Sequence, residues 1–139
     1  MITTVKEMKI CITSTGKNLE AQIDPRFGRC SYFLFINPED MDVEAISNES
    51  AMEMGGAGIK AAQRVAQQKA QYVITGNIGP NAFQTLKAAN IEVITGVSGL
   101  VKDAVEQYKS GNLKKTERAT VDSHFGRNGK KAVNGGKKQ

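Results

Sequence analysis

The stretch YFLFINPEDMDVEAIS, residues 32–47, decides the fold that this chain is expected to adopt. It begins with a short run that is apolar on both faces, as in a buried strand. It continues through Asn37-Pro38-Glu39-Asp40, which has the composition of a turn. Residues 43–47 then alternate apolar and polar side chains, the pattern of a half-exposed strand. The stretch therefore predicts two antiparallel strands joined as a hairpin.

The segments on both sides of this hairpin predict an α/β protein. Three further apolar strands are expected, at residues 8–13, 72–75 and 91–95. Three helices are expected as well: one after Gly55-Gly56, one with Pro80 in its first turn, and one that Ser98 caps and Gly111 ends. The resulting order, β-β-β-α-β-α-β-α, predicts a mixed sheet with one antiparallel strand and helices on its faces.

The net charge of +5 is concentrated at one end of the chain. Residues 1–113 hold 11 Lys+Arg against 12 Asp+Glu, a net −1, whereas residues 114–139 hold 8 against 2, a net +6. We therefore expect one folded domain over residues 1–113 and a basic, largely disordered tail over residues 114–139. Such a tail can contact an anionic partner, either nucleic acid or an acidic protein.

The sequence also indicates where in the cell the protein is expected. The sequence has no run of about 18 apolar residues and no secretory signal, so neither a membrane-spanning helix nor export is expected. The protein is placed in the cytoplasm, where its two cysteines are expected to be reduced. Cys11 lies in the middle of a predicted strand and is interpreted as a small core residue.

The loop DPRFGRC, residues 24–30, concentrates the groups that can bind a ligand. Arg26 and Arg29 can bind anionic sulfide, oxo or phosphate groups, and Cys30 can ligate iron or copper if it is a thiolate. Packing roles compete with this interpretation, with Phe27 as a core plug, Gly28 at positive φ, and an ion pair between Asp24 and either arginine. The candidate binding residues are Asp24, Arg26, Phe27, Gly28, Arg29 and Cys30.

The tail repeats this loop at the same spacing. The segment DSHFGRN, residues 122–128, keeps the Asp, Phe, Gly and Arg, lacks the thiol, and replaces Arg26 by the only histidine, His124. His124 is interpreted either as a solvated side chain or as a metal ligand on an arm that caps a bound cluster.

Glycine-rich loops are expected to meet the first motif at one end of the sheet. Residues 55–58 precede a helix and residues 76–80 follow a strand, and ligands of open α/β sheets bind beyond the carboxyl ends of the strands. Backbone N–H groups of such loops favour anions, although a tight loop explains residues 55–58 equally well. The candidate glycines are Gly56, Gly58, Gly76 and Gly79. Because residues 1–113 contain no histidine and no evident acid–base pair, we expect no enzyme.

Three motifs carry a family resemblance: residues 24–33 (DPRFGRCSYF), residues 56–58 (GAG) and residues 76–80 (GNIGP). In this order they resemble the dinitrogenase iron-molybdenum cofactor biosynthesis family, the NifX/NifB C-terminal-like group of small cluster-binding proteins, over roughly residues 8–112. The resemblance implies a ribonuclease H-like fold, with a five-stranded mixed sheet of order 3-2-1-4-5, strand 2 antiparallel, and three flanking helices. Nuclease chemistry is not expected, because residues 10–14 offer none of the carboxylates that would hold its metals.

The resemblance also implies a function. Members bind or carry iron–sulfur or molybdenum-containing clusters or their precursors and are not clearly enzymes. Relatives often have histidine where Arg26 stands, which leaves Cys30 and the arginines as candidates and favours electrostatic holding of the cluster.

The leading hypothesis is a cytoplasmic, non-catalytic carrier or chaperone of an anionic metal cluster, with a donor or acceptor protein as partner and no membrane contact. Nucleic acid is not an expected partner of such a carrier. The alternative is a module that binds an acidic partner or nucleic acid through its basic tail. The third hypothesis is a small-molecule or nucleotide-binding enzyme that uses residues 55–58.

Overall fold

The computed structural model describes residues 8–121, which form one five-stranded sheet with helices on both faces. The strands are β1 (Ile10–Ser14), β2 (Tyr32–Asn37), β3 (Asp42–Ser47), β4 (Tyr72–Ile74) and β5 (Glu92–Ile94). The helices are α1 (Ala57–Gln67), α2 (Pro80–Ala88) and α3 (Val101–Lys109). The predicted order of elements is confirmed.

The strand order is β3-β2-β1-β4-β5, as the family resemblance implies. The predicted hairpin is present, because β2 pairs antiparallel with both β3 and β1, whereas β1, β4 and β5 pair parallel to one another. The register places Ile12 of β1 between Leu34 and Ile74. The carboxyl ends of β1, β4 and β5 therefore meet at one edge of the sheet, where the loops that follow them come together.

Two apolar clusters fill the space between the sheet and its helices. Residues of α1 and α2 pack on one face, in a cluster that includes Val65, Leu86 and Phe33. Residues of α3 pack on the other face, in a cluster that includes Val105 and Ile36. Within residues 8–121, none of the helices is long and apolar enough to cross a membrane.

The helix ends follow their local sequence with one exception. Pro80 opens α2, and Gly111, at φ +76°, follows the end of α3 as predicted. The predicted cap at Ser98 is wrong, because Leu100 precedes the first residue of α3. Leu100 pairs with Gln22 in an isolated bridge, so a contact that is distant in sequence sets where this helix begins.

Residues 114–121 form a segment that we call the C-terminal strap. The backbone N–H of Thr116 donates to Val93 O at 2.6 Å, and that of Thr120 donates to Ile78 O at 2.9 Å. The expectation of disorder does not hold for this part of the predicted tail, because its backbone groups find partners on β5 and on the loop after β4. Residues 122–139 lie outside the described residues.

Candidate functional site

The loop that carries the first motif runs beside the end of β1. Ile23 pairs with Ser14, and the N–H of Asp24 donates to Thr13 O at 3.0 Å. The Thr13 hydroxyl donates to Asp24 O at 2.7 Å and lies 2.7 Å from the Thr75 hydroxyl. Both threonines are fully buried, so this polar contact fixes the start of the motif at the carboxyl edge of β1 and β4.

The motif then crosses the loop that follows β4. Asn77 N–H donates to Pro25 O at 2.8 Å, and Phe27 N–H donates to Asn77 O at 3.2 Å. At the crossing, a Cβ on Gly76 would stand 2.7 Å from Pro25 Cα, which no ordinary contact allows. The predicted site residue Gly76 therefore serves the close approach of two backbones.

A 3₁₀ turn, Phe27–Arg29, docks the motif on the first turn of α1. Phe27 is buried against Phe33, with 5.8 Å between the ring centroids, so its role as a core plug is confirmed. Gly28 is not among the residues with positive φ, contrary to the packing alternative raised from the sequence. Glycine is required at this position by close packing, because a Cβ there would lie 3.0 Å from Gly58 Cα.

Arg29 binds the protein itself. Its Nη1 donates to Ala51 O and Glu53 O, both at 2.6 Å, and so fixes the loop that leads into α1. Asn48, which the sequence analysis missed, donates from Nδ2 to Gly28 O at 3.1 Å and to Cys30 O at 2.9 Å. The partners of Arg29 lie 22 and 24 residues away, so no local pattern could have indicated this role.

Cys30 lies in the core, as does Cys11. Both thiols are fully buried in the cluster under α1 and α2, and Cys30 Sγ donates to Phe27 O at 3.4 Å. Burial raises the pKa of both thiols, and the nearby Asp24 charge raises the pKa of Cys30 further. The core role of Cys11 is confirmed. The geometry argues against Cys30 as a metal ligand, because a protonated, enclosed thiol cannot bind a metal at the surface.

Because these thiols are buried, we expect the free energy of unfolding to fall in alkaline solution. Their folded-state pKa values are raised, so their stabilising effect is complete below pH 8.5, near the pKa of an unfolded cysteine, and is lost as the pH rises above it. At pH 9.5 we expect a loss of about 1.4 kcal/mol for each thiol. Urea unfolding with a reductant at pH 7.5 and 9.5 measures this loss. The Cys11→Ala/Cys30→Ala variant should lack this part of the decrease; the same decrease in both proteins would contradict the assignment.

Of the two arginines in the motif, Arg26 is the one whose guanidinium faces outward. Its side chain is 43% exposed, and its Nε lies 3.4 Å from Asp24 Oδ1, while the Asp24 side chain is 4% exposed. Asp24 Oδ1 also accepts from the Arg26 backbone N–H at 3.1 Å. The expected ion pair is thus made with Arg26. Within residues 8–121 Asp24 is the one polar partner of this guanidinium, so both Nη groups remain available to a ligand.

The glycine loops contact the motif loop at two places. The motif touches α1 at Gly58 and the β4–α2 loop at Asn77, and α1 and α2 both begin there. Neither helix has a side-chain cap or an acidic residue in its first turn. Gly55 and Gly56 have open space around them, whereas Gly58 packs closely, with its Cβ position 3.4 Å from Ala82 Cβ. Two uncapped helix N-termini that pack against the loop carrying Arg26 favour negative charge in this region.

Three further observations complete the site. His124 lies outside the described residues. Within residues 8–121, no three His, Cys, Asp or Glu side chains come together to hold a metal ion. Met52 and Met54, not singled out from the sequence, are 90% and 77% exposed on the loop that Arg29 fixes. Within residues 8–121 this region therefore presents hydrogen-bond donors and two exposed thioethers to solvent, without a cluster of His, Cys, Asp or Glu side chains.

Comparison with known proteins defines the class of this chain. A family model described as dinitrogenase iron-molybdenum cofactor matches residues 8–111, and the chain belongs to this family. Among solved structures, the chain is similar to the apo form of the orange protein from Desulfovibrio gigas. The two share 35% sequence identity and a TM-score of 0.80, over 85% of this chain and 100% of that protein.

The chain is also similar to two other proteins. A Thermotoga protein, TM1290, provisionally described as a NifB protein, shares 32% identity and a TM-score of 0.72 over 82% of this chain and 97% of its own. An uncharacterized protein of Methanocaldococcus jannaschii, MJ0580, is 29% identical over 116 residues, which cover 81% of this chain and 95% of that protein.

Proposed function

We propose that this protein is a small, non-catalytic carrier that binds an anionic iron–sulfur or molybdenum-containing cluster, or a precursor of one. Membership of a family named for the iron-molybdenum cofactor supports this proposal, as does similarity to a protein that was solved in an apo form. The observation that carries it is the half-exposed Arg26 guanidinium on a loop that meets the starts of two uncapped helices. The Arg26 backbone pairs with Asn77 before α2, and Gly28 packs on Gly58 in the first turn of α1.

The cargo would be held by charge and hydrogen bonds. Arg26 offers two Nη groups. Gly56 and Gly79 precede helices that have no side-chain caps, and the donors of α2 begin at Asn81 because Pro80 has no N–H. Asp24 lies beneath Arg26 and orients it. Charge-assisted hydrogen bonds of this kind suit sulfide and oxo ligands of an anionic cluster. The other candidate residues would support this surface without contacting the cargo. They are Phe27, Gly28, Arg29, Gly58 and Gly76.

The proposal also includes a fold type and a partner protein. We propose that the strand order is that of a ribonuclease H-like fold. The fold would serve binding and not nucleic-acid cleavage, because β1 carries no carboxylate to hold a catalytic metal. A donor or acceptor protein would load or unload the cargo.

Anaerobic reconstitution tests the function. The full chain is incubated with iron, sulfide and molybdate, passed through gel filtration, and examined by visible absorption and metal analysis. We expect metal and visible absorption to elute with the protein, and to do so equally with the Cys30→Ala variant, because the thiol is buried. Metal-free protein after filtration would contradict the proposal. Loss of the metal in a folded Cys30→Ala variant would instead indicate a thiolate-bound cluster.

A further inference from the structure

The C-terminal strap is tied to the ligand edge of the sheet by two threonine side chains. The Thr116 hydroxyl accepts from Thr95 N–H at 2.9 Å and lies 2.7 Å from the Thr95 hydroxyl. The Thr120 hydroxyl accepts from Ile78 N–H at 2.9 Å and donates to Ile78 O at 3.3 Å. Thr116 therefore fixes the strap at the end of β5, and Thr120 fixes it to the loop that follows β4.

The loop that follows β4 is held from two sides. The strap binds Ile78, whose carbonyl accepts from the Thr120 N–H at 2.9 Å. The motif loop, residues 24–30, binds the preceding residue, Asn77, through two backbone hydrogen bonds of 2.8 and 3.2 Å. All four backbone polar groups of Asn77 and Ile78 are thus paired with one of these two segments, which are distant from each other in sequence.

This arrangement links Thr120 to Arg26 through two adjacent residues of one loop. The backbone of Arg26 forms a parallel bridge with Asn77, and Ile78 follows Asn77 in the chain. Ile78 is 1% exposed, so without the Thr120 hydroxyl its N–H would lack a partner within residues 8–121. Because an unpaired amide inside a protein is costly, the loop would move to bring this N–H to water. Asn77 and the backbone of Arg26 would move with it.

We propose that Thr120 is a positioning residue of the candidate site, which acts through the loop after β4 to hold the Arg26 guanidinium in place. Thr116 supports it by fixing the strap at β5. The effect of Thr120 on anion affinity rests on the proposed function, whereas the hold of the strap on the loop does not. The family model matches residues 8–111 and the strap begins at residue 114, so this contact lies beyond the matched part of the chain.

The hold on the loop is tested without cargo, by amide hydrogen exchange of the full chain. Thr120→Val keeps the shape of the side chain and removes its hydroxyl, and because Thr120 is exposed the variant is expected to fold. We expect the amides of Asn77 and Phe27 to exchange about tenfold faster, the effect of losing one hydrogen bond. The buried Ile91 N–H, which donates to Leu86 O at 2.9 Å before the start of β5, should change little.

Two variants serve as controls for the exchange experiment. Thr120→Ser keeps the hydroxyl and should restore the wild-type exchange rates. Thr85→Val removes a hydroxyl from α2, where it donates to Asn81 O, and should leave the amides of Asn77 and Phe27 unchanged. Wild-type exchange rates at these two amides in Thr120→Val would overturn the proposal.

The effect on the site is tested with tetrathiomolybdate, a coloured molybdenum–sulfur dianion, by isothermal titration of the full-chain variants without denaturant. Thr120→Val should weaken binding about three- to tenfold, and Thr120→Ser should bind like the wild type. In the Arg26→Gln background, Thr120→Val should have no further effect, because Thr120 acts on the anion only through Arg26. Equal weakening in both backgrounds would overturn the positioning role, since a general loss of stability acts whether or not Arg26 is present.

The outcomes separate the two proposals. Equal anion binding by the wild type and Thr120→Val, with faster exchange in the variant, would overturn the role of Thr120 in affinity and leave the carrier function intact. If the wild type binds no anion while the difference in exchange persists, the carrier function and the role in affinity both fail, and the hold of the strap on the loop stands.

Discussion

Arg26→Gln is expected to weaken binding of tetrathiomolybdate by about ten- to a hundredfold, because it removes the two Nη donors that face solvent. The same change should lower the free energy of unfolding by about 1–3 kcal/mol, since it leaves the Asp24 carboxylate buried without its cation. Isothermal titration and urea unfolding measure the two effects.

A second variant separates these effects. In Asp24→Asn/Arg26→Gln the buried charge is gone, so stability should recover towards that of the wild type while binding remains weak. Arg64→Gln is a matched control, because Arg64 is also half-exposed, with 40% of its side chain accessible, and pairs with Glu49 at 4.0 Å. Arg64→Gln should bind the anion like the wild type. Equally weak binding by the Arg64 variant would mean that net charge, and not the Arg26 site, holds the anion.

Gly76→Ala should destabilise the domain by about 2–3 kcal/mol, the cost of inserting a methyl group into a closed contact. The new Cβ would stand 2.7 Å from Pro25 Cα, 2.9 Å from Pro25 Cβ and 3.0 Å from Pro25 O. The loop must shift, which strains both hydrogen bonds to Asn77 and displaces Arg26. We therefore expect weaker anion binding together with the loss of stability.

Gly55→Ala is the control for this substitution. Gly55 has no atom within 4 Å of its Cβ position and no positive φ, so its replacement should change stability by less than about 0.5 kcal/mol. Urea midpoints of the two variants, compared at equal slope, give the difference. Equal midpoints would contradict the close crossing of the two loops.

The hairpin of the sheet could be predicted because the sequence patterns that specify it lie close together in the chain. The hairpin of β2 and β3 follows from the apolar run, the turn residues and the alternation within residues 32–47. Parallel neighbours such as β1 and β4 lie about 60 residues apart, with Ile10 opposite Tyr72, and their order came from the family resemblance. Pro80 and Gly111 marked helix ends because their effect depends on their own backbone geometry.

The site was predictable as a location but not as a set of roles. Residues 24–30 and the glycine loops do converge at the expected edge. The two arginines of the motif have the same chemistry in the sequence, yet Arg29 binds carbonyls of a distant loop and Arg26 faces solvent. The strap was missed because its polar composition suggests disorder, whereas Thr116 and Thr120 bind backbone groups that no local pattern reveals.

The burial of both cysteines would affect how the proposed cargo is unloaded. A cluster bound through cysteine sulfur leaves its protein by ligand exchange, in which an incoming thiol replaces each metal–sulfur bond. A cluster held at Arg26, with Cys11 and Cys30 sealed in the core, has no such bond to break. Transfer would then be controlled by ionic strength and by the competing positive charge of the acceptor, and would need no reductant or free thiol.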